Sequence, residues 1–154
     1  MNVTNKNPGC CKCNQEGLEV GYDTVFNLTN DYIRNTLEDE KFYLCINASC
    51  DIAYYTSSRF TINVNQLIKP IWFKNNKNQF IVCYCRDISI NDVIFAVNSL
   101  SEPINISKVV HFLQKNEIEI SCLHHNPTGM SCEKLFLNAI EYGKKIKKMK
   151  EGEN

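Results

Sequence analysis

Nine cysteines carry most of the chemistry open to this chain. They fall in groups along the sequence: Cys10, Cys11 and Cys13, then Cys45 and Cys50, then Cys83 and Cys85, and last Cys122 and Cys132. Thiolates are soft ligands, and a structural zinc ion takes four donors in a tetrahedron, usually as two close pairs from separate turns. Cys10-x2-Cys13 and Cys45-x4-Cys50 are such pairs. A two-residue spacer is the common zinc geometry, so Cys10 is preferred over Cys11 as partner of Cys13, and Cys11 becomes the spare thiol. Four sulfur ligands leave no open coordination position, which marks the centre as structural rather than catalytic.

The remaining four, Cys83, Cys85, Cys122 and Cys132, are spaced less like zinc ligands. A one-residue spacer is short for a zinc knuckle, whereas an iron–sulfur cluster spreads its thiolates over a larger object. Between the last two runs "LHHNPTGMS", whose Asn126, Pro127 and Gly129 are turn residues suited to a loop wrapping a cluster. Cys85 precedes a helix capped at Ser89, and Cys132 opens another, so helix amino ends face the negative charge of a four-thiolate cluster. His124 and His125 lie in this loop with Met130 nearby, and read as exposed residues at the pocket edge.

These groups need elements to hold them. In the first half, Thr24 to Leu28 reads as a strand, and Asn30 caps a helix over about 31–37. "KFYLC" and "DIAYYT" are aromatic-rich strands flanking Cys45 and Cys50, and "RFTIN" pairs with the second across the Ser57-Ser58 turn. Leu67 to Pro70 begins a connector, and the polar segment Lys74 to Gln79 marks the boundary. The second half reads as three helices: Ser89 to about Leu100, Ile106 to near Asn116, and about Ser131 to Lys148. The fold class is therefore α+β, with a strand-rich zinc-knuckle domain over 1–76 and a helical cluster-binding domain over 77–154. Trp72 and the Tyr54-Tyr55 pair are expected in the core and between the halves, and His111 on an apolar helix face as a structural residue.

Lys+Arg and Asp+Glu are both 17, which argues against nucleic acid as a partner, since phosphate binding needs a net basic face. The lysines of "KKIKKMK" read as a solvated helix end. Met1 to Pro8 is polar, without the apolar core of a signal peptide, and the longest apolar runs are too short for a bilayer. A cytoplasmic location is expected, where thiols stay reduced and cysteine clusters mean metal. No Ser/His/Asp or Cys/His arrangement or paired carboxylates are placed for catalysis, and nothing adjacent would activate Cys11. Turnover by the chain alone is not expected.

"CC…C", "YLCINASCDIAYY", "VCYC" before a helix and "CLHHNPTGMSC" resemble the amino-terminal region of CopZ-type proteins of archaea and bacteria. In that family a zinc-knuckle domain precedes a helical 2Fe–2S domain related to bacterioferritin-associated ferredoxin. The resemblance runs from about Cys10 to Lys144. It implies zinc on Cys10 or Cys11 with Cys13, Cys45 and Cys50, and a 2Fe–2S cluster on Cys83, Cys85, Cys122 and Cys132. The family usually has one more residue between the leading Cys-Cys and the next cysteine, which leaves the choice between Cys10 and Cys11 open. Full-length members also carry a copper-binding domain with a Met-x-Cys-x-x-Cys loop, which these residues lack. The implied function is a redox accessory passing single electrons, linked to copper or another soft metal, with a copper chaperone or transporter as partner. The alternative is a non-redox adaptor or sensor in which zinc and cluster are structural.

Overall fold

The computed structural model of the chain describes residues 6–75, 80–115 and 125–152. Four short strands form an antiparallel meander in the order β1-β2-β3-β4: β1 (Leu18–Val20), β2 (Phe42–Leu44), β3 (Ile52–Tyr55) and β4 (Thr61–Asn63). β2 and β3 are buried at every position, so both faces of the sheet are covered. The strand period of two sorts their side chains. Phe42, Leu44 and Tyr54 enter the main core, while Tyr43, Cys45, Ile52 and Tyr55 line the opposite face with the amino-terminal cysteines. A register irregularity between Ile52 and Tyr54 puts Ala53 on the core side. Strand β1 carries little sequence signal, since only Val20 of its three residues is buried.

Thr24 to Leu28 is not the expected strand. It lies in helix α1 (Tyr22–Leu28), followed by α2 (Asp31–Arg34). Five residues, four of them apolar or β-branched, are too few to separate the two periods. What decides is that Thr24, Val25 and Leu28, at helical spacing, are buried, with Val25 and Leu28 in the core beside the strand residues Phe42, Leu44 and Tyr54. Asn30 caps α2 as its type predicts, its side chain accepting from the Ile33 amide at 2.9 Å, though the helix is shorter than expected.

In the second half β5 (Ile81–Cys83) and β6 (Ile88–Ser89) form a small hairpin that leads into α3 (Ile90–Ser99), then α4 (Ile106–Phe112) and α5 (Glu133–Gly152). Ser89 and Asp92 cap α3 reciprocally, with bonds of 3.2 and 2.9 Å. Helix α5 packs along α3, with Gly143 against Val97, where an added Cβ would stand 3.2 Å from the valine Cβ. Part of the lysine run has structural partners: Lys147 donates to the Leu100 carbonyl (2.8 Å) just past the end of α3, and Lys144 pairs with Glu102 (3.3 Å).

The halves share a core. Ile81, Tyr84 and Cys132 pack in the same cluster as Val25, Phe42 and Tyr54. Tyr54 donates to the Pro127 carbonyl at 2.7 Å, and Tyr84 to that of Pro70 at 2.6 Å. Lys74, expected in an exposed boundary, is 1% exposed. The rest of that segment, 76–79, lies outside the described residues, as do Cys122 and His124. Among the described residues no helix is long and apolar enough to cross a membrane.

Candidate metal centres

The first centre is built by two tight turns. In the amino-terminal turn the Cys10 amide donates to Gln15 O and the Asn14 amide to Cys10 O, both at 2.9 Å. Asn14 takes a left-handed conformation (φ 64°). A side chain at Gly9 would meet the Asn14 carbonyl oxygen at 2.6 Å, so the turn needs glycine there. The second turn connects β2 to β3. The Cys45 amide donates to Ala53 O at 2.8 Å, and within the turn the Ser49 amide donates to the Asn47 side chain at 3.0 Å.

These turns face each other across the sheet edge and bring four sulfurs together. Cys10 and Cys50 are 3.9 Å apart, Cys13 and Cys45 3.7 Å, and all four sulfurs lie within 4.8 Å of one another. A tetrahedron with Zn–S bonds of about 2.3 Å has edges of about 3.8 Å, so the spacing fits one zinc ion. Cys10, and not Cys11, stands in the quartet; Cys11 is half-buried against its outer side. Lys12 and Asp51, at 2.7 Å, bridge the turns at the surface. Tyr55 lines the floor, ring-stacked on Tyr43 at 5.7 Å, with its hydroxyl donating to the Pro8 carbonyl.

The thiols are unequal. Burial pushes Cys45 up to about 12, against the Asn47 amide and the Lys74 charge, which lower it. Burial also raises Cys50. At Cys13 burial acts upward too, but the Gln15 amide, the Asn47 side chain and the thiols of Cys45 and Cys10 outweigh it and bring the group to about 7. Lys74 is the residue beside this centre that the sequence pattern hid. It sits in a polar stretch that reads as linker, and only its burial beside the second turn reveals it.

At the second centre, Cys83 ends β5 and Cys85 lies in the following turn, their sulfurs 3.7 Å apart. Tyr84 between them points the other way, into the main core. Cys132 directly precedes α5 and lines the same cavity as Cys83. The neighbouring Cys132 thiol is the main cause bringing Cys83 down to about 5; burial opposes it, and the Arg86 guanidinium, 3.6 Å from the sulfur, assists. The Cys83 thiol and burial push Cys132 far up. The buried Asn126 side-chain amide donates to the Cys132 sulfur at 3.1 Å, and its oxygen accepts from Thr128 N and Oγ1 at 2.9 and 2.6 Å. A cavity of about 170 Å³ opens beside Cys83 and Cys132, lined also by Arg86, Ile106 and Phe136. The structure thus pairs Cys83 with Cys85 and sets Cys132 on the cavity that Cys83 lines, while Cys122 is outside the described residues. Met130 is exposed at the loop tip.

Residues 7–68 match the family model zf_CopZ, described as a zinc binding domain. The four cysteines at tetrahedral spacing lie inside that span, so this part of the chain is similar to a zinc-binding domain and carries the ligands for one ion. A solved structure, the X-ray structure of the Archaeoglobus fulgidus CopZ N-terminal domain, is similar with a TM-score of 0.62 and 21% identity, over 84% of this chain and 95% of that one. The likeness extends past the zinc domain into the helical half and shows a common fold. No curated protein matches the chain.

Proposed function

We propose that the chain is a zinc- and iron–sulfur-carrying accessory protein that passes one electron at a time, with a copper- or other soft-metal-handling protein as its partner in the cytoplasm. The observation that carries this reading is the Cys83 sulfur 3.7 Å from that of Cys85, beside a cavity that Cys132 also lines, with Asn126 donating to Cys132. A sulfur separation of 3.7 Å suits two thiolates on one tetrahedral metal, at an edge of about 3.8 Å. Cys83, Cys85 and Cys132, with Cys122 as the fourth, would hold a 2Fe–2S cluster. When bound, such a cluster supplies a one-electron couple whose potential follows charge, hydrogen bonds to sulfur and solvent access.

The chain's own residues set those conditions. Asn126 and Arg86 donate hydrogen bonds to two of the sulfurs and offset their negative charge. The amino end of α5 adds a favourable dipole at Cys132. Phe136 and Ile106 line the cavity and limit water, while the exposed Met130 marks the side on which a partner could approach. No substrate turnover is assigned to the chain alone. The similar fold of a CopZ amino-terminal domain favours copper as the metal its partner handles.

Protein-film voltammetry of anaerobically purified protein tests the reading. A reversible one-electron wave is expected; a centre that resists reduction above about −700 mV would leave the non-redox adaptor or sensor in its place.

A further inference from the structure

Lys74 is among the largest fully buried side chains, 1% exposed. Burying an ammonium costs several kcal/mol unless an opposite charge compensates. Its Nζ donates to the carbonyls of Asn47 (2.8 Å) and Cys50 (3.2 Å), and stands 5.8 Å from the Phe73 ring centroid. Among the described residues no carboxylate pairs with it. Dipoles and a ring face leave the charge itself unmatched.

Both acceptors belong to the turn that presents Cys45 and Cys50. The next residue reinforces the grip: the Asn75 amide donates to Ala48 O at 2.9 Å, and its side chain to Ser49 Oγ at 3.3 Å. The amides of Asn47 and Ile52 act to lower the Cys45 and Cys50 thiols of the same turn. Two carbonyls of the ligand-bearing turn thus face the ammonium. Zinc with four thiolates carries a formal charge of about −2, which is the anion that Lys74 lacks.

We infer that Lys74 is a positioning residue for the four-cysteine centre: its ammonium fixes the Cys45–Cys50 turn through the carbonyls of Asn47 and Cys50 and supplies the countercharge of the loaded site. This rests on the quartet holding zinc. Residues that orient metal ligands commonly change affinity about 10–100-fold when replaced. The test is zinc affinity by chelator competition, with unfolding measured in zinc-loaded and metal-stripped protein. Lys74→Met should weaken zinc binding about 10–100-fold, and Lys74→Arg, which keeps the charge, should recover most of it. Stability should fall in the loaded protein and not in the stripped one. Wild-type affinity in Lys74→Met, or equal destabilisation with and without zinc, would overturn the inference.

If Lys74→Met fails to fold, amine acylation of the wild-type protein read by mass spectrometry decides. Lys74 should be protected with zinc and modified after stripping; equal protection in both states would overturn the inference. A wild-type protein that binds no zinc would instead defeat the reading of the centre itself.

Discussion

Zinc loading at the quartet must displace protons, and its thiols hold them to different degrees. Cys13, at about 7, offers a thiolate near neutrality, while Cys45, raised to about 12 by burial, gives up its proton only to a metal. Protons therefore compete with zinc, and apparent affinity should rise as pH is raised from about 6 to about 8, with protons released on binding. Chelator competition across that range, in two buffers of different ionisation enthalpy, measures both. At this scale the sequence was most informative. Spacing alone preferred Cys10 over Cys11, and Cys10 is the sulfur that lies 3.9 Å from Cys50. Lys74 stayed hidden because a lysine among asparagines carries no sign of burial; its partners are carbonyls 24 and 27 residues away.

Helices and strands place these residues, and their legibility followed their length. Helix α3 was readable from Ser89 and its apolar spacing, because its capping box and buried stripe of Val93, Ala96 and Val97 are local features. Helix α1 was not: its seven residues are β-branched and aromatic enough to suit a strand, and packing against the sheet selects the helix. The close crossing of α3 and α5 depends on Gly143, where a Cβ would sit 3.2 Å and 3.3 Å from Val97 atoms. Gly143→Leu should force these helices apart and lower stability by about 1–3 kcal/mol, read as a lower urea midpoint. Cys132, at the head of α5, would be disturbed with it, so metal retention at the second centre should fall in parallel.

Across the whole molecule the two halves are joined through one core and through hydroxyl-to-carbonyl bonds. Tyr54 reaches Pro127 in the loop that supports Cys132, and Tyr84, between two cysteines of the second centre, reaches Pro70 in the connector. These contacts are long-range, so the sequence reading could place Tyr54 in the core and between the halves without naming its partner, and it did not place Tyr84 there. Unfolding should be one cooperative transition by probes in either half. Tyr54→Phe leaves the buried Pro127 carbonyl without its donor and should cost about 1–3 kcal/mol by denaturant titration.

The central claim is that one chain carries two unlike metal centres. Iron, zinc and acid-labile sulfide analysis of protein purified anaerobically with iron supplied, together with an optical spectrum, tests it most directly. About two iron, two sulfide and one zinc per chain, with visible cluster absorption, is the predicted result. Two zinc ions and no sulfide, in a colourless protein, would contradict it.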